Sequence, residues 1–476
     1  VEDSFDVAII GAGVCGANIA RRLSSYELDV ALVDKEADVS FGVSKANSGI
    51  VHGGFHDNKK YLKARLEIQG AMMFDRLKAE LDFPFVRCGI VVVALHEDEM
   101  RAVEQLYAQG VDNGVIGIEM CSAERMLELE PKLSRDALGG LYAPGGGIVE
   151  PYRFVFSLVE SAVKNGVRLF TDWRAVSASR EADAWAVEAS DGRILQARYV
   201  VNCAGLYADE VSRIFGAEDY SIKGRKGEYY LLDKLTRAKP HRVVFPVPTP
   251  ISKGMLIVPT VEGTVLIGPT ACAFEDKEDA ATTREQLEAI LRSARNMIPD
   301  ISETDVITSF AGIRPTLGQD FYIDASAKAP AFIQVAGIQS PGLTASPAIG
   351  EYVKDLLKKA GLVLVEKAEW DPFVPKRPRA RDLSPFELDA LVAENRAYGE
   401  VVCRCECVTE AEIVAAIRRG HTTLDGIKYF TRAQMGRCQG GFCTYKILKI
   451  LMRETGMSWD EITKNGRGST VLMGEL

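Results

Sequence analysis

The sequence predicts an α/β protein built on a parallel sheet, and three observations carry that prediction. They are a glycine-spaced strand, turn and helix near the start, a second strand ending on an acidic residue, and a later return to strand, glycine-rich turn and helix. In "DVAIIGAGVCGANIARRL" the run Asp6 to Ile10 is apolar and β-branched enough for a buried strand. Ala17, Ile19, Ala20 and Leu23 then carry helical periodicity. Gly11 permits the tight turn, Gly13 lets a pyrophosphate approach the backbone, and Gly16 lets helix and strand pack closely. The helix N-terminus is left pointing at negative charge. The strand "LDVALVD" ends on Asp34, 23 residues after Gly11, where a carboxylate accepts the hydrogen bonds of an adenosine ribose. The first domain is therefore read as Rossmann-like and nucleotide-binding.

The remaining elements follow in order. "AWAVEASDGRILQARYVV" reads as a hairpin turning at Asp191 and Gly192, and it feeds "VVNCAGLYADE", where a strand ends in a small-residue turn. "VVFPVPTP", "GMLIVPTVEGTVLIGPT" and "DFYID" read as strands of a separate sheet, a substrate domain interwoven with the first. "AFIQVAGIQSPGLTASPAIGEYVKDLL" returns to strand, turn and helix, as a long two-part cofactor requires. From Asp371 the Pro-rich, basic "DPFVPKRPRARDLSP" marks a boundary. Residues 1–370 are thus expected to form the interwoven pair, 371–398 a linker, and 399–476 a small C-terminal domain.

Composition narrows the partners. At 476 residues the chain exceeds one ordinary core, and 47% hydrophobic with 26% charged residues describes a globular protein. A net charge of -9 argues against nucleic acid. No run of eighteen apolar residues and no charged-then-apolar leader is present, so neither a transmembrane segment nor a secretory signal is expected. Cytoplasm is the default compartment, and a folded patch peripheral to a membrane is compatible with it.

Ten cysteines are present, and five of them lie within 41 residues, in "VVCRCECVTE" and "MGRCQGGFC". The scattered Cys15, Cys88, Cys121, Cys203 and Cys272 read as small buried hydrophobes. Cys403 and Cys405 form a CxC pair and, after 32 intervening residues, Cys438 and Cys443 form a pair with four residues between. Four such thiolates hold either one [2Fe-2S] cluster or one tetrahedral zinc. Thr409 and Glu412 make a capping box that starts a helix after the first pair, and "TYKILKILMRE" reads as a helix after the last cysteine.

Gly11, Gly13, Gly16 and Asp34, with "NSGIVHGG", "RKGEYYLL", "VVNCAGLYAD", "AGIRP" and "AGIQSPGLT", resemble the FAD-dependent glycerol-3-phosphate dehydrogenase and oxidase family of the D-amino-acid-oxidase superfamily. L-2-hydroxyglutarate dehydrogenases carry similar motifs. The C-terminal part resembles the bacterioferritin-associated-ferredoxin type of [2Fe-2S] domain. These resemblances imply an FAD-binding Rossmann-like domain with an interwoven β-sheet substrate domain, plus a small helical [2Fe-2S] domain. They favour cluster over zinc at Cys403, Cys405, Cys438 and Cys443, and leave Cys407 outside the matched pattern. They also place Ser48, Gly49, Ala204, Gly205, Gly342, Leu343 and Thr344 against FAD, the last three where a helix N-terminus stabilises the negative charge of the reduced flavin.

Oxidising an alcohol needs a base for the hydroxyl proton, and His52, flanked by Gly53 and Gly54, is the candidate among five histidines. His56 is the weaker contender. Arg314 in "AGIRP" offers a planar fork for the substrate's anionic end, as the resemblance also implies, with Lys226, Lys63 and Ser340 assisting. The expected activity is FAD-dependent oxidation of sn-glycerol 3-phosphate to dihydroxyacetone phosphate. Electrons would pass through the cluster to a quinone, an acceptor protein or another subunit of a larger dehydrogenase. Oxidation of L-2-hydroxyglutarate, another 2-hydroxy acid or an amine is the alternative, and a redox-sensing or electron-transfer protein without turnover is the non-enzymatic one.

Overall fold

In the computed structural model, which describes residues 3–248 and 254–472, the glycine turn joins strand Asp3–Ile10 to helix Val14–Leu23. Five parallel strands lie in the order Arg168–Phe170, Val30–Val33, Asp3–Ile10, Ile194–Asn202 and Phe332–Ala336. Helices cover this sheet, so its strands are apolar runs; Val30–Val33 is buried at every position. Helix Gly342–Lys359 packs on both Val14–Leu23 and Leu62–Glu80. Close approach is local chemistry: a Cβ on Gly70 would overlap the Thr344 carbonyl oxygen. The hairpin Ala184–Ala189 to Ile194–Asn202 turns where expected, with Gly192 in the left-handed region at φ +85°.

A second, nine-stranded sheet is assembled among the described residues from segments between Ile90 and Thr316. Its strands are drawn from between those of the first sheet, so the two domains are interwoven as the sequence predicts. One expectation is corrected. The "DFYID" segment belongs to the first sheet: strand Tyr322–Ala325 pairs antiparallel with Phe332–Ala336, Tyr322 opposite Ala336. A short hairpin connection to its chain neighbour outweighs any pairing across the domain.

The segment 371–398 is more structured than a bare linker. Ser384 and Glu387 form a capping box that opens helix Pro385–Glu394, a signal the Pro-rich composition obscures. Beyond it, strands Val401–Cys403 and Val408–Thr409 and helices Glu410–Ile417, Leu424–Thr431 and Thr444–Thr455 form the C-terminal unit. The Thr409–Glu412 capping box is present.

This unit is seated on the other two domains by buried charge. Arg432 reaches Glu150 at 2.6 Å and Glu406 at 3.0 Å, while Arg381 bridges Glu262 at 2.6 Å and Glu406 at 2.8 Å. Glu150, Glu262, Glu406 and Arg432 are all buried. Such a network adds little net stability, yet losing one partner strands a buried charge, so it fixes how the parts sit together. His421 Nδ1 lies 2.7 Å from Asp38 Oδ2 and adds a contact beside the nucleotide-binding strand. No helix among the described residues is long and apolar enough to cross a membrane.

Candidate active site

A cavity of about 1680 Å³ opens where the glycine turn meets the second sheet. It exceeds the roughly 300–1,000 Å³ of ordinary ligand pockets, as a two-part cofactor with its substrate requires. Gly11, Gly13, Asp34, Ser48, Gly49, Ala204, Gly205, Gly342 and Leu343 all line it. Gly11 has φ +109°, and a Cβ there would run into the Cys203 carbonyl. Gly16 serves packing instead: a Cβ on it would overlap the Gly11 carbonyl oxygen.

Asp34 lines the cavity and also ties the turn, accepting the Ala12 N–H at 2.6 Å and the Glu36 N–H at 3.0 Å. Burial pushes its carboxyl up to about 6, against the pull of those two backbone donors. The loop after it supplies residues that sequence reasoning missed. Ser44 Oγ accepts the Val14 N–H at 2.9 Å, and Asn47 Oδ1 accepts the Gly49 N–H at 2.9 Å, shaping the loop that presents Ser48. Lys45 lines the cavity with its ammonium 4.5 Å from the Phe41 ring centre. Burial lowers its pKa. The motif "SKANSG" was the available signal.

These features fit FAD. Gly13→Val is accordingly expected to strip the flavin, because a Cβ at Gly13 already lies 3.1 Å from Ser44 Oγ and the added methyls occupy the space over the helix N-terminus. Flavin absorbance per chain after gel filtration measures it; full retention would count against the placement.

His52 is buried on the cavity wall. Its backbone N–H donates to Thr344 Oγ1 at 3.0 Å, and Thr344 in turn donates to the Ile50 carbonyl, so Thr344 positions the histidine from behind. The ring Nε2 is 3.3 Å from Ser340 Oγ, itself on the wall. His56 packs against Phe55 and Phe245 and is not among the lining residues.

Arg314 sits on strand Val306–Thr316, lines the cavity, and donates to the Thr270 carbonyl at 2.7 Å. It makes no ion pair among the described residues. Burial lowers its pKa, Arg225 acts in the same direction, and Tyr229 opposes both. Tyr229 lies on the neighbouring strand Lys223–Leu232, 3.3 Å from Ser48 Oγ through its hydroxyl and stacked on Phe310. Burial raises its pKa, which keeps the phenol a donor.

Lys226 is not brought to the site. Its ammonium donates to the Ala281 carbonyl at 2.9 Å and lies 3.4 Å from Asp279, on the opposite face of the strand. Alternation places Arg225 on the cavity instead, opposite Arg314 in register. Lys63 lines the cavity and pairs with Asp57 at 2.7 Å.

In the C-terminal unit the two cysteine pairs meet across the fold. Cys405 Sγ is 3.7 Å from Cys438 Sγ, and Cys403 hydrogen-bonds Cys443. Gly436 allows this, since a Cβ there would collide with the Cys405 side chain. Cys407 points elsewhere, toward the Arg404 carbonyl, from a residue with φ +52°. Four thiols from two segments, with the fifth turned away, suit a [2Fe-2S] cluster.

Comparison with known proteins agrees with this geometry. Residues 6–356 match the family described as FAD dependent oxidoreductase, and residues 401–453 match the BFD-like [2Fe-2S] binding domain. A glycerol 3-phosphate dehydrogenase of Caloramator mitchellensis is 43% identical over 99% of this chain and 98% of its own length. The solved L-alpha-glycerophosphate oxidase of Mycoplasma pneumoniae, with FAD bound, superposes with a TM-score of 0.75 at 30% identity, covering 79% of this chain and 99% of that one. The mitochondrial L-2-hydroxyglutarate dehydrogenase of Homo sapiens is 25% identical over 74% of this chain and 88% of its own.

Proposed function

We propose that this chain, which belongs to the FAD dependent oxidoreductase family and carries a BFD-like [2Fe-2S] domain, oxidises sn-glycerol 3-phosphate to dihydroxyacetone phosphate. The observation that carries the substrate is the Arg225–Arg314 pair. The two stand directly opposite each other on adjacent strands, both on the cavity wall, where one anionic group can be met by two guanidinium forks. A phosphate dianion answers two cations better than one carboxylate does. The end-to-end similarity to a glycerol 3-phosphate dehydrogenase supports the same reading.

Within this site FAD supplies the hydride acceptor and the [2Fe-2S] cluster a one-electron outlet. Arg314 and Arg225 hold the phosphate and so fix where the carbinol carbon lies. His52 takes the hydroxyl proton, its backbone held by Thr344 and its ring flanked by Ser340. The un-ionised Tyr229, 3.3 Å from Ser48 Oγ, brings a hydroxyl to the same wall. Continuous packing from the cavity toward the cysteines supports the outlet. Phe41, on the wall, lies 6.0 Å from Tyr429, Tyr429 lies 5.0 Å from Tyr152, and the Tyr152 hydroxyl is 3.4 Å from Met435 Sδ, three residues before Cys438.

Anaerobic stopped-flow of flavin bleaching tests the substrate. Glycerol 3-phosphate is expected to reduce the flavin faster than L-2-hydroxyglutarate; reduction by the hydroxy acid alone would sink the assignment. Arg314→Ala is expected to weaken substrate binding by about one to two decades, from the roughly 1.5–3 kcal/mol of a charge-assisted contact, with a smaller effect on the saturated rate.

A further inference from the structure

The cysteines that would hold the cluster differ in exposure. Cys403 and Cys443 are buried, whereas Cys405 is exposed and Cys438 half-buried. One edge of the thiolate set therefore reaches the surface.

The charge around that edge runs against the charge of the chain. The net charge is -9. Yet within residues 401–409 and 431–450 the only carboxylate is Glu406, which is buried and paired with Lys234, Arg381 and Arg432. Arg404, Arg437, Lys446 and Lys449 in the same segments are exposed. Exposed carboxylates lie outside these segments, at Glu400 just before the first and at Asp460 and Glu461 beyond the stacked Tyr445 and Trp459. Between the last two cysteines Phe442 is 84% exposed, and Leu235, 83% exposed, follows the Asp233 that pairs with Arg437. An apolar centre with an excess of exposed positive charge, in which Asp233 answers Arg437 alone, is the anatomy of a transient protein interface.

We infer that this face, around Cys405 and Phe442, docks an acidic one-electron carrier protein. The inference rests on the reading of the chain as a dehydrogenase whose electrons leave through the C-terminal domain. Oxidising one alcohol to a ketone releases two electrons and two protons. Two carriers, each taking one electron, therefore dock in turn, and both protons go to solvent. A membrane surface is disfavoured because Phe442 and Leu235 offer far less apolar area than an interfacial anchor buries.

The test uses the FAD- and iron-loaded enzyme, with an acidic flavodoxin and a basic c-type cytochrome as probes. Binding is measured calorimetrically without substrate, so the result stands whatever alcohol the enzyme oxidises. Flavodoxin is expected to bind, more weakly as salt rises from about 20 mM to about 500 mM. The double variant Lys446→Glu, Lys449→Glu is expected to bind it roughly ten-fold more weakly, with iron and flavin content unchanged. Lys446→Gln with Lys449→Gln should fall between, which separates charge from misfolding. Salt-independent binding, undiminished binding by the charge-reversed enzyme, tighter binding of the cytochrome, or capture by anionic vesicles instead of the carrier would each overturn the inference.

Discussion

His52→Ala is expected to slow flavin reduction at saturating substrate by about 10² to 10⁴ while leaving substrate affinity nearly unchanged. The two arginines that would hold the anion come from strands Lys223–Leu232 and Val306–Thr316, not from the segment that carries His52, so removing the imidazole takes away the proton acceptor and little of the binding. Its ring is held by packing at 6.1 Å from Phe245 and by Ser340 at 3.3 Å from Nε2. A Gln in its place keeps a polar group but no useful base, and should be nearly as slow. Flavin content separates a chemical defect from a folding defect, because Thr344, which contacts the His52 backbone, also belongs to the helix that lines the cavity. Equal loss of affinity and rate would move the base elsewhere. Arg314→Ala is the complement, losing affinity first.

Cys438→Ser is expected to abolish the cluster, taking iron and acid-labile sulfide from about two each per chain to near zero. Cys438 is half-buried at the surface edge of the thiolate set, so this variant disturbs packing less than one at buried Cys403. Cys407→Ser should retain full iron, since its thiol faces the Arg404 carbonyl and not the other sulfurs. The visible spectrum and anaerobic metal analysis read both. Zinc at about one equivalent in wild type, or iron loss on replacing Cys407, would reverse the ligand assignment. With the cluster gone, bleaching by glycerol 3-phosphate should persist and transfer to an external one-electron acceptor should fail.

Both cofactor sites were legible because their chemistry is local. Gly11, Gly13, Gly16 and Asp34 fall within one strand-turn-helix-strand unit whose spacing is visible in the sequence, although Gly11 and Gly13 also answer contacts from outside it, the Cys203 carbonyl and Ser44 Oγ. The CxC and the "GRCQGGFC" loop likewise carry their spacing within short segments. His52 and Arg314 stand beside a glycine or a proline that restricts the backbone, and both line the cavity. The capping box at Ser384 is equally local, but the prolines and arginines around it mask the helix it opens.

What lay beyond the sequence is whatever depends on register and on distant segments. Lys226 and Arg225 are chain neighbours, and composition cannot say which faces the ligand. Pairing with Val306–Thr316 decides it, setting Arg225 opposite Arg314 and turning Lys226 toward Asp279. Tyr322–Ala325 has the composition of either sheet and joins the first through its hairpin partner. The seat of the C-terminal unit depends on Arg432, Glu150, Glu262 and Glu406, charges contributed from three regions of the chain. By itself, then, the sequence determined which two cofactors the chain takes, because short-range sterics and spacing suffice for those. Tertiary structure alone decided which face each strand turns to the cavity and how the cysteine domain is held against it, because a one-residue shift of register inverts every side chain and buried charges find their partners only in the folded chain.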